Sequence, residues 1–258
     1  MISKGRIKYI KSLELKKNRN REKAFVAEGP KVVSDLLDCM PARIIVATKE
    51  WLENNLSRYN KSESEVIEVS DEELRKVSFL QHPQQVLAVF PKIENIVIPE
   101  ELNSDLVLAL DDVQDPGNLG TIIRIADWFG ITKIICSQGT ADVYNPKVVQ
   151  ATMGSISRVC VVYTDLVEFI DKLPSDMPVY GTFLDGDNIY EKRLTECGLI
   201  VMGNEGNGIS HKLREMINNK LLIPNFPQDR ATTDSLNVAV ATAIICSEFR
   251  RKTSYIQL

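Results

Sequence analysis

Three short segments in the second half of the chain hold the residues best suited to chemistry. They are Asp115-Pro-Gly-Asn-Leu-Gly-Thr-Ile-Ile-Arg124, Met202-Gly-Asn-Glu-Gly-Asn-Gly208 and Ser235-Leu-Asn-Val-Ala-Val-Ala241. Each sets small or polar residues beside an apolar run, where a turn meets a strand or helix end. In the first, Pro then Gly suits a type II turn and Asn118 suits a helix N-cap. Arg124 needs more than that. It stands in an otherwise apolar helix, where a buried charge requires a partner, and a phosphate matches its fork of donors. In the second segment the glycines let the backbone approach a ligand closely, and Glu205 sets a carboxylate among them. In the third, Asp234 or Ser235 is the expected cap, which leaves Asn237 one turn inside a helix, an unfavourable place for Asn.

Other chemistries are poorly represented. There is no P-loop and no Ser-His-Asp set. The 203–208 glycines lack dinucleotide-fingerprint spacing. The five cysteines are scattered without a Cys-x-x-Cys pair and there are two histidines, so neither a metal site nor a disulfide framework is expected. Reduced thiols, a start without an apolar signal and no run near the roughly 20 apolar residues of a membrane helix predict a cytoplasmic protein with no membrane partner. The net charge of −4 hides an asymmetry. Residues 1–31 carry ten basic and three acidic side chains, a local +7. Such a cluster is the footprint of nucleic-acid phosphate contacts, with Lys11, Lys16, Lys17, Arg19 and Arg21 as candidate phosphate ligands.

Two groups of elements must position these residues. Residues 1–92 read as a small α/β unit: a basic helix, a strand ending at Gly29-Pro30, a helix bearing Val32, Val33, Leu36 and Leu37, and strands at 43–47, 66–69 and 86–90. Pro91 and Pro99 mark 93–104 as a linker. From 105 to 258, strands at 106–110, 133–136, 159–163, 179–183, 199–202 and 221–223 alternate with helices near 118–129, 146–153, 166–173, 210–217 and 235–250. Near-continuous Val/Ile/Leu strands alternating with helices predict a mostly parallel sheet covered on both faces. Ligands of such sheets bind beyond the carboxyl ends of the strands, and the first two segments follow strands directly.

In this order, the three segments resemble the signature motifs of the SpoU branch of the SPOUT RNA methyltransferases, over residues 105–258. The N-terminal part, with Phe25-Val-Ala-Glu-Gly-Pro30, is similar to the small RNA-binding domain that these enzymes often carry. The resemblance implies S-adenosylmethionine as cofactor, the ribose 2′-hydroxyl of an rRNA or tRNA as methyl acceptor, a deep trefoil knot in the C-terminal α/β domain, and a homodimer with active sites at its interface. Carried onto this chain, it implies a catalytic set of Asn118, Arg124, Glu205, Ser235 and Asn237. Cofactor contacts would come from Phe183 or Leu184, Gly203, Ile223, Ser235 and Leu236. Because guanidinium groups hold their proton in ordinary protein sites, Arg124 is expected to bind RNA phosphate and shape the hydroxyl's surroundings. One departure stands out: the stretch from Asn225 to Asp234 is longer than the family's usual connection. Two other functions fit the same residues, a SPOUT base methyltransferase and an RNA-binding module without activity. Asn118 and Arg124 together with Ser235 and Asn237 favour ribose.

Overall fold

A computed structural model describes residues 1–59, 62–227, 233 and 235–253. The chain forms two compact units, Met1–Glu94 with Asp142–Arg158, and Asn95–Ala141 with Val159–Leu258. The expected sequential division contains no such return to the first unit.

The first unit begins with α1 (Lys4–Ser12), capped by Ser3, and α2 (Lys16–Glu22). The single expected basic helix is thus two, broken at Leu13-Glu14-Leu15. Next come β1 (Ala24–Glu28), α3 (Pro30–Leu37), β2 (Ile44–Ala47), α4 (Lys49–Asn54), β3 (Glu65–Glu68), α5 (Asp71–Val77) and β4 (Val86–Pro91). The sheet order is β1-β4-β2-β3, with β2 and β3 parallel and the β4 pairings antiparallel. Pro30 starts α3, where its missing N–H costs nothing.

The second unit opens with β5 (Leu106–Leu110), α6 (Pro116–Trp128) and β6 (Lys133–Cys136). The chain then supplies α7 (Pro146–Ala151) to the first unit and resumes with β7 (Cys160–Tyr163), α8 (Leu166–Asp171), β8 (Val179–Asn188), β9 (Gly198–Met202), α9 (His211–Met216), β10 (Asn219–Leu222) and α10 (Val238–Thr253). Six strands in the order β10-β8-β9-β5-β6-β7 pair in parallel throughout, as the apolar pattern led one to expect. Strands β5 and β9 are buried along their whole length, and α8 and α9 pack on the sheet through Leu166, Phe169, Ile170 and Leu213.

Two expected helix starts shift for one reason: the caps are other residues. Asp115, not Asn118, caps α6, its carboxylate accepting from the Asn118 N–H at 2.8 Å. Helix α10 starts at Val238 rather than Ser235, with Asn237 outside it. Asp234 lies outside the described residues, as does most of the long 225–234 connection.

The 142–158 segment bears on how the chain can be divided. Tyr144 lies on Phe25 with ring centroids 4.7 Å apart, and Val148, Val149 and Ile156 are buried within the first unit. Each buried apolar side chain contributes about 1.5–3 kcal/mol. Deleting residues 1–92 alone should therefore yield insoluble protein. Deleting them while replacing 142–158 by a flexible Gly/Ser linker should yield a folded domain that binds cofactor and has lost most RNA affinity. Filter binding across a salt series should give that double deletion a shallower slope than the full chain, because fewer counterions are released. Equal slopes would place RNA binding wholly in the second unit.

Candidate active site

Site geometry starts with the end of β9. There Gly203 enters a tight loop closed by paired bonds between Asn204 and Gly208, with N···O distances of 3.0 and 2.9 Å. Asn204 Oδ1 accepts from the N–H groups of Gly206 (2.9 Å) and Asn207 (3.0 Å), and its Nδ2 donates to the Asp112 carbonyl at 2.7 Å. The glycine-rich segment is thus a tied loop, and Asn204 is a supporting residue that the sequence reading passed over. Gly203 permits it: a Cβ there would collide with the Gly208 backbone and the Ile209 nitrogen. A second missed support is Asp111, a buried carboxylate at the end of β5 that accepts from the Ser210 N–H at 2.7 Å ahead of α9.

Three of the expected catalytic residues form one chain of hydrogen bonds. Asn237 Oδ1 caps α10, accepting from the N–H groups of Ala239 (3.0 Å) and Val240 (3.3 Å). Its Nδ2 donates to Asn118 Oδ1 at 2.9 Å, and Asn118 Nδ2 donates to Glu205 Oε1 at 2.9 Å. Glu205 Oε2 also accepts from the Gln114 N–H at 3.4 Å. A helix terminus that supplies only donors and a carboxylate that only accepts fix the orientation of both amides. The place of Asn237 is therefore explained twice: it is a good cap, and it faces Asn118.

A cavity of about 370 Å³ adjoins this chain, lined by Glu205, the 203–208 loop, Phe183, Leu184, Leu221, Leu222, Ile223, Ser235, Leu236 and Val238. Every expected cofactor residue lines it. Its size suits a small ligand, and its walls pair apolar side chains with the backbone of the tied loop. An adenosyl group with a polar amino-acid tail fits such a wall set. Ser235, expected in the catalytic set, lines this cavity; among the described residues its side chain makes no bond to the Asn237-Asn118-Glu205 chain.

Arg124 is placed elsewhere. It was expected in a buried setting that demands a partner. The buried positions of α6 are Leu119, Gly120, Ile122, Ile123 and Ala126, and Arg124 lies on the opposite, exposed face. At 3.6 residues per turn it is ~240° around the axis from Asn118. Among the described residues it makes no hydrogen bond or ion pair. It shares its face with Thr121 and with Trp128, which is 83% exposed.

The basic cluster also divides. Lys16 and Lys17 are exposed, and Arg21 is exposed and pairs with its neighbour Glu22. Lys11 donates to the Ser78 carbonyl and lies 4.8 Å from the Phe79 ring centre. Arg19 is a correction. Only 2% exposed, it binds Asp142 at 2.6 Å and the carbonyls of Leu13 and Glu14, holding the returning segment to α2. Its charge is consumed inside the unit and is closed to RNA. Among the described residues no cluster of His, Cys, Asp and Glu could hold a metal ion, and no helix is long and apolar enough to cross a membrane.

Comparison with known proteins places this geometry. Residues 105–247 match the SpoU rRNA Methylase family, and residues 4–88 match the MRM3-like substrate binding domain. A Bacillus subtilis protein named as the 23S rRNA guanosine 2′-O-methyltransferase RlmP is 32% identical over 251 residues, covering 95% of this chain and 96% of that protein. Among solved structures, a TrmH-family chain from Porphyromonas gingivalis is 40% identical with a TM-score of 0.85, over 98% of this chain and 99% of that one. An AdoMet-bound rRNA methyltransferase from Sinorhizobium meliloti is 30% identical with a TM-score of 0.85, over 97% and 96%.

Proposed function

Because this chain belongs to the SpoU rRNA methylase family, we propose that it transfers a methyl group from S-adenosylmethionine to a ribose 2′-hydroxyl of ribosomal RNA, with a guanosine as the acceptor nucleoside. The observation that carries this reading is the bonded chain Asn237-Asn118-Glu205 at the rim of the cavity that holds all the expected cofactor residues. The relatives named for guanosine 2′-O-methylation support the choice of ribose and of guanosine.

The cofactor supplies an electrophilic methyl group on a sulfonium. Phe183, Leu184, Gly203, Ile223, Ser235 and Leu236 would hold it, apolar side chains against the adenosyl part and the loop backbone against its polar groups. The remaining work is positioning: a methyl transfer needs its hydroxyl in line, and fixed geometry contributes most of the acceleration in such steps. Asn118 is held from both sides, so it presents one amide orientation to the ribose. Glu205 orients that amide and adds negative charge beside the cavity. Arg124, with its fork of donors unused, binds an RNA phosphate.

A homodimer reconciles these placements. The α6 face bearing Thr121, Arg124 and Trp128 is exposed, and so are Val240 and Leu236 near the start of α10, with Ile244 half-buried. We assign these apolar residues to a dimer interface that brings Arg124 of one protomer to the site of its partner. Light scattering should give twice the 29.0 kDa chain mass, and the double variant Trp128→Asp/Val240→Asp should run as a monomer with an unchanged circular dichroism spectrum. A wild-type monomer at micromolar concentration would remove the interface. The trefoil knot of this family belongs to the same proposal, supported by the parallel order β10-β8-β9-β5 and the packing of α10 on α6. The five free cysteines, two of them fully buried, support a cytoplasmic location.

Calorimetry on metal-stripped protein tests the cavity. Binding of S-adenosylmethionine or its demethylated product without RNA or metal is expected. No heat at millimolar cofactor would leave an RNA-binding module without activity.

A further inference from the structure

The first unit holds a cavity that the methyl-transfer site does not use. It encloses about 350 Å³ between β1, the residues after α5 and the returning segment, lined by Val26, Glu28, Phe79, Leu80, Lys147 and Met153 among others. Most of the wall is apolar; Lys147 and Gln150 are polar, and Glu28 is the one carboxylate. Its carboxylate is 6% exposed, accepting from the Ser78 hydroxyl and, at 2.8 Å, from the Phe79 N–H. A carboxylate offers about four acceptor positions, so two bonds leave about half of them open. Burial raises the Glu28 carboxyl above the usual carboxylate range, against the opposing pull of Ser78, Phe79 and Lys11. Further donors facing it would be favourable.

The mouth of the cavity is built as a clamp. Met153 is exposed and held at φ 51°, a left-handed conformation that side chains with a Cβ rarely adopt. The neighbouring Gly154, at φ 99°, leaves no room for a Cβ against the Asp35 carboxylate, so the turn is firmly set. Backbone strain of this kind concentrates at ligand clamps. Lys147 is exposed beside it, and its ammonium has no polar partner among the described residues. An aromatic ring, a soft thioether, a buried acceptor and a free cation at the rim match a nucleotide in its base, its edge and its phosphate.

We propose that this cavity takes one unpaired guanine of the RNA substrate, its Watson–Crick N–H groups on Glu28, its ring against Phe79 and Met153, and its phosphate on Lys147. This rests on the reading of the substrate as RNA. Single-stranded bases are read in this way, splayed out, stacked on aromatic side chains and bonded through their edges. Guanine is chosen because N1–H and the N2 amine are adjacent donors that fit an acceptor-only group. Adenine and cytosine set a ring acceptor beside their amine, and uracil flanks its single N–H with two carbonyls, so each would bring an oxygen or nitrogen lone pair against the carboxylate.

The test uses the full chain with methionine methyl groups labelled with carbon-13, titrated with GMP, AMP, CMP and UMP. The Met153 resonance, assigned with Met153→Leu, should shift with GMP, at an affinity about tenfold above the others, the scale of discrimination by a bidentate base contact. Glu28→Gln keeps an acceptor for Phe79 and a donor for Ser78 but ends the carboxylate edge, and should erase the preference. Lys147→Ala should weaken all four nucleotides alike. Should Glu28→Gln not fold, Met153→Trp, placed at the exposed mouth, should block GMP in equilibrium dialysis. Cofactor affinity, read separately by calorimetry, should be unchanged in each variant, so a failed cofactor site is distinguished from a failed base site. An unshifted Met153 at millimolar GMP, equal response to all four nucleotides, or undiminished GMP binding by Glu28→Gln or Met153→Trp would overturn the proposal.

Discussion

Replacing Arg124 by Ala is expected to lower kcat/KM for methyl transfer by roughly 10–100-fold, the about 1.5–3 kcal/mol of a hydrogen bond to a charged phosphate, while the fold and cofactor affinity stay intact. The side chain is exposed on α6 and makes no bond among the described residues. Surface changes of that kind move stability by about 0.5 kcal/mol or less, so the melting temperature should barely change. The cofactor cavity does not include Arg124, and calorimetry should return the wild-type affinity. Arg124→Lys should recover little, because an ammonium cannot reproduce the planar fork on a phosphate. Steady-state kinetics with RNA decides the matter. Near-normal turnover in Arg124→Ala would make this residue an ordinary solvated arginine and withdraw it from the site.

The second large effect concerns the polarity of the amide chain. Asn118→Ala and Glu205→Gln should each reduce kcat by about two orders of magnitude, and the double variant should fall little further, because groups acting as one unit are not additive. Asn237 separates structure from chemistry. Asn237→Ala loses the cap of α10, worth about 1 kcal/mol, together with the bond to Asn118. Asn237→Asp keeps a capping oxygen for the Ala239 and Val240 N–H groups but cannot donate. Asn118 then faces a carboxylate on each side with one NH₂ group to offer. That variant should melt close to wild type yet lose most of its turnover. Full activity in Asn237→Asp would mean that the orientation of Asn118 is immaterial. Multiplicative losses in the Asn118/Glu205 pair would show two independent residues instead of one device.

Much of the frame was legible because burial writes itself plainly. Runs such as Leu106–Leu110 and Leu199–Met202 are apolar at every position, which only a sheet covered on both faces requires, and both are central strands. The site was legible as a set of residues and less so as an arrangement. Asn237 looked misplaced because the helix was started too early; in a linear reading Ser235, Asp234 and Asn237 are equally good caps, and only packing decides among them. Arg124 looked buried because its neighbours Ile122, Ile123 and Ile125 are apolar, although a helix exposes every third or fourth position whatever lies beside it. Arg19 was counted with the phosphate ligands because charge in a sequence does not reveal its partner. Asp142, 123 residues away, neutralises it. The return of 142–158 to the first unit was hidden for the same reason: Tyr144-Asn-Pro-Lys147 has the composition of an ordinary turn into a helix, and its docking on Phe25 is a tertiary fact.

The chemistry itself is tested most directly by supplying the protein with unmodified ribosomal RNA and S-adenosylmethionine labelled in its methyl group, then digesting the RNA to nucleosides. Ribose methylation blocks the neighbouring phosphodiester from alkaline cleavage, so the label should emerge in an alkali-resistant dinucleotide and, after enzymatic digestion, in 2′-O-methylguanosine. Label on a nucleobase would contradict the account at its centre, and so would unlabelled RNA from protein that binds the cofactor.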